Sequence, residues 1–227
     1  MSLTRDKFTK LIMQPHDTYY RRNLPHIHLE GHPLFITFNL VDSLPKEIIE
    51  GLKLQREQEL KALPEDSSER YKIQKKFFGK YDEWLDRCKF GNFWLKDERV
   101  ANIVREKIHS MKKERYRLLA YCIMPNHVHL LIDPSLTGQT NHRGVTAQYP
   151  ITDTLRLIKG GTARECNIVL GRRGSFWHHE SYDHYVRDEQ ELERIFQYIL
   201  NNPVKAGLVT EWTSWKSTYI NPEFGSW

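Results

Sequence analysis

His127 and His129 are two residues apart in the run His127-Val128-His129-Leu130-Leu131-Ile132. In a strand, alternate residues share one face at a Cα spacing of about 6.6 Å. Two imidazoles so placed can converge on one divalent ion, which leaves Val128 and Leu130 for a core on the opposite face. Spacing alone does not separate a metal pair from two solvent-facing histidines. His26-Ile27-His28 repeats the spacing in a segment of weak strand character and is read as the plain case. Tyr198 and Asn202 are four apart in a helical pattern. They therefore project from one face roughly 6 Å apart. In isolation the same positions suit a boundary tyrosine and a helix C-cap ahead of Pro203.

These residues need elements to hold them. Leu34 to Val41 is β-branched and aromatic between Pro33 and the turn Ser43-Leu44-Pro45, which predicts a first strand. Arg115 to Met124 and His127 to Asp133 predict two strands joined at Pro125-Asn126, an antiparallel hairpin. Val100, Ile103, Val104 and Ile108 line one face of a helix over Asp97 to Met111. A second helix runs from Thr152 or Asp153 to about Leu170, with Gly160-Gly161 suggesting close packing. Phe176 to Arg187 reads as an extended or edge segment. Asp188 and Glu191 open a last helix that Pro203 ends, docked through Leu192, Ile195 and Ile199. Between the first strand and these elements, residues 45–88 are Lys/Glu/Gln-rich with Phe77, Tyr81, Trp84 and Leu85 at helical spacing. They read as an inserted helical hairpin whose aromatics pack. Residues 134–150 read as a long polar loop. The simplest architecture is α+β: a ferredoxin-like or RRM-like antiparallel sheet of three or four strands with helices on one face.

Composition limits the classes available. With 39% hydrophobic residues over 227 positions the chain can build a core, so wholesale disorder is excluded. No stretch approaches the about 18 apolar residues of a membrane span, and the N-terminus lacks a secretory h-region. Three widely spaced cysteines, Cys88, Cys122 and Cys166, fit a reduced cytoplasmic compartment. A net charge of +5 permits nucleic acid without demanding it. If nucleic acid is the partner, the basic groups should follow a single-strand path and the inserted helices should carry most of the acid.

Taken together, Met124-Pro125-Asn126-His127-Val128-His129-Leu130-Leu131-Ile132, then Trp177-His178 and Tyr182-Asp183-His184-Tyr185-Val186-Arg187, then Tyr198-Ile199-Leu200-Asn201-Asn202-Pro203-Val204-Lys205-Ala206-Gly207-Leu208-Val209 carry a family likeness. The sequence resembles the single-tyrosine HUH transposases, and within them the REP-associated tyrosine transposases of bacteria. The likeness runs from about Arg21 to Trp215. It makes residues 1–227 a single HUH domain with insertions at about 45–88 and 134–150. It implies that His127 and His129 are metal ligands and Tyr198 the nucleophile. Asn202 becomes the third protein ligand, where related enzymes often carry Gln. Mg²⁺ or Mn²⁺ would be the cofactor.

The implied reaction is cleavage of single-stranded DNA beside an imperfect hairpin, through a 5′-phosphotyrosine. A phenol of pKa near 10 needs its proton to leave as it attacks. One tyrosine forms one covalent link at a time, so two-ended transposition needs a homodimer or sequential use of one site. The DNA contacts expected from the likeness are Arg21, Arg22, Lys159, Arg164, Arg172, Arg173 and Trp177, although each charge alone also suits a solvated surface and Trp177 also suits a core. A bacterial cytoplasmic location follows, with association to the nucleoid when DNA is bound. Two alternatives keep the same residues: a domesticated, non-transposing nucleic-acid-binding module of this fold, and a water-using phosphohydrolase with a structural Tyr198.

Overall fold

In the computed structural model, which describes residues 17–21, 25–29, 32–64, 67, 69–112, 114–134 and 150–224, and only the backbone of 17–29 and 150, the strand pattern organises everything else. A two-stranded antiparallel hairpin joins β1 (Asp17–Arg21) to β2 (Pro25–Leu29). The main sheet holds β3 (Leu34–Asn39), β4 (Arg117–Ile123), β5 (His127–Asp133), β6 (Tyr182–Tyr185) and β7 (Thr218–Ile220). Its order is β6-β3-β5-β4-β7, antiparallel throughout. The sheet therefore has five strands where the sequence predicts three or four. The addition is β7, which at three residues is too short to show an alternating pattern.

β5 is central and fully buried, so both of its faces must be covered. Ile36, Phe38, Val128, Leu130 and Ile132 build a core with α3 (Glu98–Ser110) and α4 (Pro150–Val169) on one face. The sequence predicts helices on this one face alone, but a fully buried central strand needs cover on both, and a helix lies on the other side as well. The opposite face carries Phe35, Leu131, His127 and His129. The last helix, α5 (Glu189–Lys205), packs there through Leu192, Ile195, Phe196 and Ile199. A register shift between Leu118 and Ala120 re-phases β4, so the small residues Ala120 and Cys122 lie opposite Leu131 and His129.

α5 starts as expected, with Asp188 accepting the Glu191 amide. It does not stop at Asn202. It continues through Pro203 to Lys205 and closes at Gly207 (φ 69°). A proline in the last turn removes one donor near an end that already frays, so the cost is tolerated. Asn202 is thus free of capping duty and is buried.

The 45–88 region forms α1 (Lys46–Lys61) and α2 (Glu69–Asp86). α1 buries none of its residues fully. α2 buries Phe77, Tyr81 and Leu85, the expected packing stripe, together with Asp82 and Asp86. The pair is charge-balanced, with ten basic and ten acidic residues over 45–88, so it does not carry most of the acid as expected. Residues 135–149 of the expected loop lie outside the described residues.

The return from α2 is held by Gly91 (φ 78°), where a Cβ would lie 2.2 Å from the Asp42 carbonyl oxygen. Gly91→Ala is expected to destabilise the chain by about 2–4 kcal/mol, since both the φ value and the contact forbid a side chain. Gly79→Ala, in the middle of α2 with nothing within 4 Å, is expected to stabilise it by about 0.5–1 kcal/mol. Thermal melts of the two variants check both signs.

Candidate metal and nucleophile site

The site is assembled from β3, β5, α2 and α5. Strand alternation puts His127 and His129 on one face of β5, both fully buried. Their Nε2 atoms are 3.0 Å apart. Each ring is fixed through its other nitrogen. His127 Nδ1–H donates to Asn126 Oδ1 at 2.7 Å, and Cys88 Sγ donates to the same oxygen at 3.5 Å. His129 Nδ1 lies 2.9 Å from Thr37 Oγ1, whose own hydrogen goes to Asp82 Oδ2 at 3.1 Å. Thr37 therefore accepts from His129. Both Nε2 atoms then carry lone pairs, and two lone pairs at 3.0 Å repel unless a cation or a proton lies between them.

A proton is disfavoured there. Burial, and then the neighbouring His129, push His127 down to about 4. Asp86 fits a cation instead. Its Oδ1 is 3.3 Å from His127 Nε2 and 3.1 Å from His129 Nε2. Burial pushes its carboxyl up, but the two imidazoles set against it outweigh this and hold it well below the usual carboxylate range. Asp86, His127 and His129 form a group of donor atoms able to hold a metal ion, all of it buried.

Asn202 completes the wall. Its amide Nδ2 donates to Asp86 Oδ1 at 2.9 Å and to His129 Nε2 at 3.0 Å, while Oδ1 is buried without a partner. Turning the amide over would present that orphan oxygen to the same centre. Separations of 3.0–3.3 Å among His127 Nε2, His129 Nε2 and Asp86 Oδ1 match octahedral edges on bonds of about 2.1–2.3 Å. The residues present thus fit a divalent cation. Tyr198, one turn before Asn202, donates its hydroxyl to Asp86 Oδ2 at 2.7 Å. Its ring meets Phe35 edge-on at 5.8 Å and His129 at 5.1 Å. Burial, with the Asp82 and Asp86 carboxylates, raises the phenol well above 10.

His127, His129, Tyr198 and Asn202 are brought together, where spacing alone pairs them only two by two. Asp82 and Asp86 are not among the residues that the sequence singles out. Their trace is a pair of acids four apart on the same helical stripe as Phe77, Tyr81 and Leu85, where a solvated helix would put them outside.

The expected DNA contacts are not assembled with this cluster. Lys159 and Arg164 are on α4, across the sheet from the histidines, and Lys159 Nζ donates to the carbonyls of His179 and Glu180. Arg164 and Arg173 are exposed. Arg172 clamps the turn after α4, donating to Asn167 and Ser175 and stacking 3.8 Å over Trp94. Trp177 is a core residue, at odds with a stacking platform. Its ring packs on Phe38 and Phe176, and its indole N–H is spent on Thr162 at 2.9 Å. Arg21 is placed in β1 by its backbone alone, and Arg22 lies outside the described residues.

Comparison with known proteins follows the same lines. The family described as "Transposase IS200 like" matches residues 87–202. A protein of Haemophilus influenzae named as a REP-associated tyrosine transposase is 29% identical over 105 residues, 44% of this chain. The chain spans 56% of that relative's length. A solved REP-associated tyrosine transposase bound to a REP hairpin superposes with a TM-score of 0.50 at 17% identity, over 88% of this chain and 80% of that one, so the folds are alike. A Deinococcus radiodurans protein described as a transposase gives a TM-score of 0.30 at 17% identity over 81% of this chain and 96% of its own. Among the described residues, no helix is long and apolar enough to cross a membrane.

The depressed His127 gives a pH prediction. Between about 6.5 and 4 the unfolded chain takes up a proton that the folded chain refuses, so stability falls as pH drops through this window and levels off below it. Chemical denaturation at pH 7 and pH 4.5, with chelator present, should differ by roughly 2–3 kcal/mol from this source, and His127→Gln should shrink the difference.

Proposed function

Because the chain belongs to the IS200-like transposase family, we propose that it is a metal-dependent single-stranded DNA endonuclease and strand transferase that forms a 5′-phosphotyrosine at hairpin-associated sites, as a REP-associated type would. One observation carries this reading. The hydroxyl of Tyr198 is one carboxylate away from the two imidazole Nε2 atoms, so nucleophile and candidate metal centre form a single buried cluster. Residues 1–227 then act as one HUH domain in which α2, from the 45–88 insertion, reaches the site through Asp86, and 134–150 is a second insertion.

His127, His129, Asp86 and the Asn202 oxygen would hold the cation, Mg²⁺ or Mn²⁺, which when bound supplies positive charge for a scissile phosphate. The chain's own groups do the rest. Asp86 Oδ2 orients the Tyr198 hydroxyl and holds its proton as the phenolic oxygen attacks phosphorus. The P–O3′ bond breaks, and the 3′ oxygen leaves as a hydroxyl, taking a proton from water. Phe35 and His129 fix the tyrosine ring edge-on, so the attack direction is set before DNA arrives. The bond energy retained in phosphotyrosine allows a 3′-hydroxyl to reverse the attack. Lys159, Arg164 and Arg173 are retained as contacts to DNA outside the cluster, and a homodimer would supply a second tyrosine for two-ended transfer.

Incubation with Mn²⁺ and hairpin-bearing single-stranded DNA should give a denaturant-stable protein–DNA adduct. Tyr198→Phe and chelator should each abolish it. Cleavage without an adduct would overturn the reading in favour of hydrolysis by water, and binding with neither would favour a module that has ceased to transpose. Asp86→Ala should lower the rate of adduct formation by about 10–100-fold.

A further inference from the structure

The cluster behind His129 has no part in the scheme so far. Thr37 interrupts the apolar run Leu34–Phe38 of β3 and is fully buried, facing His129 across the strand pair. Asp82 is a carboxylate buried to 4% exposure on α2, four residues before Asp86. Burying a carboxylate is costly unless it is paired. Its Oδ2 receives the Thr37 hydroxyl and its Oδ1 has no hydrogen-bond partner. Burial, with the nearby Asp86, pushes Asp82 up to about 7, against the pull of His129 and Thr37. A group kept at this expense in the core invites a question about what it controls.

A hydroxyl has one hydrogen. With that hydrogen on Asp82, Thr37 Oγ1 can only accept, and the group it accepts from is His129 Nδ1–H. The imidazole is then locked as the Nδ1–H tautomer with its Nε2 lone pair toward the cluster. The same outcome is reached at His127 by Asn126. The alternative is close at hand. If the proton moved to Nε2, it would point at Asp86 Oδ1, 3.1 Å away, and form a hydrogen bond that blocks the centre.

We propose that Thr37 and Asp82 are positioning residues, a carboxylate–hydroxyl–imidazole relay that holds the His129 Nε2 lone pair open for the cation. The inference deepens the metal reading above and rests on it for its consequence, but the tautomer itself is a property of the metal-free chain. Asp82 and Asp86 then give the inserted helix two tasks four residues apart: one acid faces the cation and the other sets the ring that receives it.

Two measurements test the relay on the full chain. Long-range ¹H–¹⁵N correlation of the metal-free protein is expected to show His129 as the Nδ1–H tautomer. In Thr37→Val, which preserves volume, the Nε2–H form should appear, and Thr37→Ser should restore the original. Asp82→Leu frees the Thr37 hydrogen to donate to Nδ1, so it too should populate Nε2–H. Calorimetric titration with Mn²⁺ should show a 10–100-fold loss of affinity in Thr37→Val and a change of less than about 3-fold in Thr37→Ser. An Nε2–H tautomer in the unsubstituted chain, or Thr37→Val binding Mn²⁺ unchanged, overturns the relay. If Asp82→Leu keeps Nδ1–H alone, Asp82 falls out of it. An unsubstituted chain that has the Nδ1–H tautomer yet takes up no Mn²⁺ overturns the metal reading and leaves the relay standing.

Discussion

Two imidazole nitrogens held 3.0 Å apart with their lone pairs facing each other set the terms for the whole molecule. Such a pair is unfavourable in a dry interior without a cation, and the neighbouring groups are arranged so that a proton cannot serve as one. Asn126 and Thr37 take up the Nδ1 hydrogens. Asp86 brings the opposing charge, and Asn202 closes the remaining side. The cost of keeping these polar groups buried is offset by hydrogen bonds at most of their atoms, while Asn202 Oδ1, Asp82 Oδ1 and Asn126 Nδ2 have none.

The sheet provides the precision that this pair needs. β5 lies between β3 and β4, so its side chains cannot shift without breaking two ladders. Its even positions feed the core under α3 and α4, and its odd positions face α5. The bulge at Leu118–Ala120 sets small residues, Ala120 and Cys122, opposite Leu131 and His129 on the face that α5 covers. The same layering explains why the basic residues on α4 are not part of the cluster. They lie beyond the sheet.

The helix α2 is a structural partner of the site. Tyr198 is held by an acid from α2, and its phenol is raised by that acid and by burial. A phenol in this setting is held in place, with an acceptor for its proton 2.7 Å away.

The sequence by itself determined the strands and helices that matter, the alternation that sends His127 and His129 one way and Val128 and Leu130 the other, and the shared helix face of Tyr198 and Asn202. These follow from periods of 2 and 3.6 residues, which any local window displays. It also carried enough of the motif to point to the family. Tertiary structure alone decided that Asp86 and Asp82 belong to the site, since they arrive from 43 residues away in sequence on a helix whose composition looks solvated. Likewise it decided that Asn202 is a wall of the cluster and not a helix cap, that Trp177 is core, and that β7 closes the sheet. Each of these depends on which surfaces meet across long loops, and packing between distant segments leaves no periodic trace in the chain.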